Sequence, residues 1–112
     1  KLYSEEKRYD EAIKELLWAT ENAIEDSFQS MAFYLLANIY YVVDKLDDAM
    51  SSAKEIKTVG YQTLAKDIIG DIHLKQGNKE KAKESYLEGL KLYKGQGDIR
   101  KVLQNKIDSI GQ

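Results

Sequence analysis

The stretch Phe33–Ala53, FYLLANIYYVVDKLDDAMSSA, is written a second time as Lys66–Tyr86, KDIIGDIHLKQGNKEKAKESY. The register lays Leu36-Ala37 on Ile69-Gly70, Tyr40 on His73 and Ala49 on Ala82, each pair 33 residues apart. A period in that range marks a stack of helix-turn-helix hairpins, each of which buries its apolar face only against a neighbour. The fold expected is therefore all-α, a helical-hairpin solenoid of about six to seven helices with a C-terminal capping helix. Such a chain is an interaction scaffold before it is anything else.

Working outward, Tyr9, Ala12, Ile13, Leu16, Ala19, Ala23 and Ile24 follow the i, i+3, i+4, i+7 rule and predict a helix over about Tyr9 to Ile24. The few residues before it read as the end of a truncated partner helix. Ser27 can cap the next helix, whose buried stripe is Ala32, Leu35, Leu36, Ile39, Tyr40 and Val43, as far as about Asp44. Leu46, Ala49, Met50, Ala53 and Ile56 give the returning helix, with Gly60 placed to end it. Ala65, Ile68, Ile69, Ile72 and His73 line the next helix, and Gly77-Asn78 makes the turn with Asn78 as cap. Ala82, Tyr86, Gly89, Leu90 and Tyr93 line the helix that comes back. After Gly95-Gln96-Gly97, Asp98 can cap a last helix with the narrow seam Ile99, Leu103, Ile107 and Ile110, suited to cover the end of the stack. The 112 residues are read as a single domain: a partial first repeat over 1–26, a second repeat over 27–60, a third over 61–95, and the capping helix over 98–110.

The small residues follow from backbone approach. Ala37 and Gly70 fall on the first helix of each hairpin, and Ala12, Ala49 and Ala82 on the second, where two helices close to the short end of the 8 to 10 Å range. Leu36, Tyr40, Ile69 and Tyr86 supply the bulk beside them.

Composition agrees with a scaffold. With 43% hydrophobic and 32% charged residues the chain reads as ordinary soluble protein, and the absence of proline suits helices throughout. No cysteine is present, so neither a disulfide framework nor a thiolate metal site is available. The longest apolar stretches, Met31 to Leu36 and Ile39 to Val43, are far short of the roughly 20 residues of a spanning helix. The chain starts at Lys1 without methionine in what already reads as helix, so a natural N-terminal extension, carrying any signal or anchor, is expected. Net charge is −2 but uneven: residues 1–50 carry 5 Lys/Arg against 11 Asp/Glu, and residues 91–112 carry 5 against 2. The simplest account is solvated helix faces. The gradient could orient a charged partner but is no basic stripe for nucleic acid.

These residues resemble the tetratricopeptide repeat. Its pattern of an aromatic, Leu-Gly/Ala, Tyr, Gly-x-Tyr and Ala is met by Phe33, Leu36-Ala37, Tyr40, Leu46 and Ala49, and again by Ile69-Gly70, His73, Gly77 and Ala82. The second half of a preceding unit shows in Tyr9, Ala12, Leu16 and Ala19. Two departures are the 37-residue step from Ala12 to Ala49 and the missing closing proline. From about Leu46 onward the chain is also similar to the C-terminal half of YfgM-type proteins, the single-span inner-membrane accessory subunits of the bacterial Sec translocon. That resemblance rests on Gly-Asn-Lys and Ala-Lys around residues 77–83 and on a terminal Lys-Ile-Asp-Ser-Ile helix. It implies a domain on the periplasmic face of the inner membrane, hung from an N-terminal helix, that meets translocon subunits, a periplasmic chaperone or unfolded client segments.

In repeats of this kind the first helix of each hairpin faces the concave groove. The candidate partner surface is then Met31, Tyr34, Asn38 and Tyr41 from one unit and Leu64, Asp67, Asp71 and Lys75 from the next. Tyrosines flanking an asparagine suit a peptide, because aromatics give contact area at low entropic cost and the amide can bond an extended backbone. Packing on a neighbouring helix is the alternative for Tyr34 and Tyr41. Asp67, Asp71 and Lys75, at i, i+4 and i+8, read as a solvated charge ladder rather than a ligand site. His73, the sole histidine, reads as a satisfied core residue where the repeat expects an aromatic.

No enzyme, cofactor or metal is expected. Cysteine is absent and a second histidine is lacking, and Gly95 and Gly97 have no lysine-threonine after them to make a phosphate loop. Two other readings stand beside the translocon one. A cytosolic co-chaperone or assembly adaptor would hold peptide tails through a carboxylate clamp, for which Asn38 suits but Tyr34, Ile68 and Asp67 do not. A structural subunit of a lipoprotein-type assembly complex would differ in how the chain is anchored.

Overall fold

The computed structural model describes the backbone of residues 3–111 and the side chains of residues 5–111; residues 1, 2 and 112 of the expected domain lie outside the described residues. Among the described residues six α-helices follow one another: α1 Tyr3–Asn22, α2 Asp26–Val42, α3 Leu46–Lys54, α4 Gln62–Lys75, α5 Lys79–Leu92 and α6 Asp98–Ile110, with one 3-10 turn at Val59–Tyr61. Among the described residues there is no strand. The chain forms two compact units, Lys1–Thr58 and Val59–Gln112.

In the first unit α1 packs on α2 and α2 on α3. Leu36, Ala37, Ala49 and Ala53 are buried between α2 and α3. The buried Ser30 hydroxyl donates to Thr58 Oγ1 at 2.9 Å and accepts from the Thr58 N–H at 3.1 Å, tying the end of the unit back to α2. Gln29 likewise reaches the Thr20 carbonyl at 2.8 Å and fixes the α1–α2 corner. The Tyr40 phenol lies above its ordinary pKa, first because burial disfavours the phenolate and then because Asp48 repels it.

In the second unit α4 packs on α5 and α5 on α6. Tyr86, Ala82, Leu103 and Ile107 form its core, with Leu90, Ile99 and Ile110 packed against them. Ser85 donates to the Lys66 carbonyl at 2.7 Å, a second tie between α4 and α5.

The two hairpin turns are one device. In the first, the Asp44 N–H bonds the Tyr41 carbonyl and the Lys45 N–H bonds the Tyr40 carbonyl; in the second, Gly77 bonds Leu74 and Asn78 bonds His73. This double closure at a helix C-terminus requires one left-handed residue. Gly77 adopts it at φ +84, and Asp44 adopts it at φ 68 without being glycine. Asn78 then caps α5 by accepting from the Lys81 N–H at 3.4 Å.

Several expectations are corrected. Residues 3–8 are not a separate partner helix, because α1 runs unbroken from Tyr3; their Glu, Lys and Arg side chains favour helix without an apolar stripe. Ile24 lies past the end of that helix and is 98% exposed. Ser27 falls inside α2, whose N-cap is Glu25 in an extended conformation, and Asp98 is the first residue of α6 after the N-cap Gly97. The α3 helix ends at Lys54, so Gly60 does not terminate it and lies in the 3-10 turn instead. Leu35, expected on the buried stripe, is exposed.

Candidate functional site

The expected surface residues divide between the units. Met31, Tyr34, Asn38 and Tyr41 stand on α2 at i, i+3, i+7 and i+10, with Met31 exposed and the other three half-buried. The Asn38 amide donates one of its two N–H groups to the Tyr34 carbonyl of its own helix at 2.9 Å, which fixes the orientation of the side chain. Leu64, Asp67 and Asp71 are half-buried on α4, and Lys75 is exposed at that helix's end.

Asp67 and Asp71 do not form a solvated ladder. The Lys106 ammonium, projecting from α6, donates to Asp67 Oδ1 at 2.7 Å and to the two Asp71 oxygens at 3.1 and 3.2 Å. The buried Tyr86 hydroxyl donates to Asp71 Oδ1 at 2.5 Å, and Lys106 also sits 5.6 Å from the centre of the Tyr86 ring. The two carboxylates one turn apart on α4 are thus internal fasteners for the last helix. Lys75 lies one turn further, at the exposed end of α4.

The electrostatics follow from crowding. Burial raises the Asp67 carboxyl above its ordinary range and the Asp71 charge adds to this, while the hydrogen bond and charge of Lys106 pull the other way. Burial alone would lower the Lys106 ammonium, but the hydrogen bonds and charges of Asp67 and Asp71 outweigh it and hold the lysine above its ordinary value.

Room for Tyr86 comes from Gly70. A Cβ at Gly70 would stand under 3.0 Å from the Tyr86 ring. One repeat earlier the same two positions are Ala37 and Ala53, both buried, so the first hairpin closes with two small residues and the second with a glycine and a tyrosine.

A family profile, the tetratricopeptide repeat-like domain, matches residues 1–112. The chain belongs to that family. Over 86 residues it is 31% identical to the ancillary SecYEG translocon subunit of Aggregatibacter actinomycetemcomitans, an overlap covering 77% of this chain and 42% of that protein. The overlap therefore takes in less than half of that relative's length. No solved structure matches it.

Within this repeat-like domain His73 holds the place of Tyr40 one unit on, but it is not fully satisfied: its Nδ1 is enclosed without a hydrogen-bond partner among the described residues. Among the described residues no group of His, Cys, Asp and Glu is arranged to hold a metal ion, and no helix is long and apolar enough to cross a membrane. The residue that sequence reasoning missed is Lys106. Its signal was a lysine on the seam side of α6, between Leu103 and Ile107, where a solvated charge has no reason to stand.

Proposed function

We propose that this chain is a non-enzymatic protein-interaction module, belonging to an accessory subunit of the Sec translocon on the periplasmic face of the inner membrane, where it links translocon subunits to a periplasmic chaperone and to emerging client segments. The observation that carries the reading is the repeat-like family match over the whole chain together with the likeness to a protein named as an ancillary SecYEG translocon subunit. The mechanism is passive: a preformed helical surface that orders little on binding and so keeps more of its contact energy as affinity. Met31, Tyr34, Asn38 and Tyr41 on α2 are the partner contacts we assign in the first unit, and Leu64 and Lys75 on α4 in the second. Asp67 and Asp71 join them only where a partner competes with Lys106.

The competing reading, a cytosolic adaptor that clamps carboxylate tails, is disfavoured by the same geometry. Two carboxylates facing α6 repel such a tail, and Lys106 is already shared between them. The test is fractionation of the natural full-length product, with protease added from the outer side of the inner membrane and with co-purification of translocon. A membrane-bound, externally cleaved protein that retains translocon is expected. A soluble, protected protein that retains none would overturn the placement and leave the adaptor reading in its stead.

A further inference from the structure

Between Asp26 and Val42 α2 holds a single charged residue, Asp26 itself. A helix without charge over four turns belongs where it is covered on every side. One side of α2 is not covered: Phe28 is 59% exposed, Met31 42%, Leu35 44% and Val42 54%. These four recur at i, i+3, i+7 and i+14, so they lie in one stripe about 21 Å long, with Asn38 as the sole polar interruption.

The second hairpin provides an internal control. The positions one repeat on are Tyr61, Leu64, Ile68 and Lys75, with Asp71 in place of Asn38. There Ile68 is buried, Asp71 is held by Lys106 of α6, and Lys75 ends the row with a charge. The framework residues Leu36/Ile69, Ala37/Gly70 and Ala49/Ala82 agree between the copies, whereas this face is mixed and charged in the second copy and uncharged and largely apolar in the first.

The rim identifies what covers it. No Lys or Arg occurs within α2; Glu25 and Asp26 stand at its start, and Glu6 and Asp10 of α1 line a cavity with Val43 and Lys45 at its end. At this rim the four carboxylates outnumber Lys45, and residues 1–50 as a whole carry 5 Lys/Arg against 11 Asp/Glu. We propose that the α2 stripe is the docking site for a partner's amphipathic helix with an aliphatic face of about four turns and lysine or arginine at its flanks. The inference deepens the interaction reading above and rests on it. Aliphatic side chains fill the spaces between Phe28, Met31, Leu35 and Val42, and the flanking cations meet the carboxylates at the two ends, which sets orientation and speeds encounter.

The probe is a fluorescent peptide of roughly 18 residues with leucines along one face and lysines at both ends, set beside the same peptide with glutamates for lysines. Anisotropy titrations use the whole chain, Leu35→Glu, Met31→Glu and, away from the stripe, Lys83→Glu, each checked for native helix content. The expected result is saturable binding of the lysine peptide, about tenfold or more weaker for the glutamate peptide and for Leu35→Glu and Met31→Glu, and unchanged for Lys83→Glu. Equal binding of the two peptides, or binding indifferent to both stripe variants, overturns the proposal. So does a concentration-dependent dimer in sedimentation that Leu35→Glu abolishes, since a second copy would then be the occupant. Should crosslinkers on α2 trap envelope proteins while the lysine peptide fails, the interaction reading stands and this inference alone falls.

Discussion

Asp44 and Gly77 occupy the same left-handed position of the same turn, and only one of them is suited to it. A side chain there costs about 1 kcal/mol or more, less for aspartate because its carboxylate can bond locally. No atom stands within 4 Å of a Cβ built on Gly77, so Gly77→Ala isolates the backbone term. Urea unfolding should show a loss of about 1 kcal/mol for Gly77→Ala and a gain of a few tenths for Asp44→Gly; a neutral Gly77→Ala would mean the turn is not held left-handed in solution. Lys106 gives a second contrast. Its ammonium lies above the ordinary lysine value of 10.5, so its contribution to stability is fully present below that pH and is lost as pH rises through the raised value. Asp67, also raised, titrates with the same sign at the acid end: lying above 3.8, it favours the fold below that pH and loses this as pH rises, so that, unlike the Lys106 charge, its charge at neutrality is a net cost. Lys106→Met should therefore cost about 1 to 3 kcal/mol, discounted for its part exposure, while Asp67→Asn stays within about 1 kcal/mol of wild type. The gap between wild type and Lys106→Met should narrow in melts taken at increasing pH above the ordinary lysine value of 10.5. Equal losses in the two variants would contradict the cluster.

At the scale of elements, the packing of α4 on α5 turns on one exchange, a glycine for a tyrosine. Gly70→Ala drives a Cβ into the Tyr86 ring and should destabilise by about 1 to 3 kcal/mol. Combined with Tyr86→Ala, which copies the Ala37/Ala53 pair of the first hairpin, the cost of Gly70→Ala should shrink, giving a coupling of about 1 kcal/mol or more in a double-mutant cycle. Ala49→Leu and Ala82→Leu, at two fully buried alanines, should each overpack their hairpin by about 1 to 3 kcal/mol, read by thermal unfolding. These elements were legible in the sequence because local periodicity and spacing encode them: the Gly77-Asn78 turn, the small residues, and the α6 seam with Leu103 and Ile107 buried. Element ends were less so. Ser27 and Asp98 missed their caps by two residues and one, since a cap is chosen by the backbone angles of the entering chain as well as by side-chain type. For Lys106 the seam position was legible but its partners were not, because they lie 35 and 39 residues away and only the folding of α6 onto α5 brings them together.

For the whole molecule, the sequence and the fold agree that binding is the chain's work, and they differ on which face does it. Reading the repeat alone divides the contact surface evenly between α2 and α4. The structure draws Asp67 and Asp71 of α4 inward to fasten α6, and leaves α2 with an uncharged side that no described residue of its unit covers. On our proposal the partner surface therefore lies mainly on the first unit, where residues 1–50 also hold the chain's excess of acid. The measurement that tests this most directly is photo-crosslinking in living cells of the full-length protein, with the reactive residue placed in turn at Tyr34, at Tyr41 and at the exposed Lys83 of α5. The account predicts that Tyr34 and Tyr41 trap a discrete envelope protein and that Lys83 does not. Equal labelling from all three positions would contradict it.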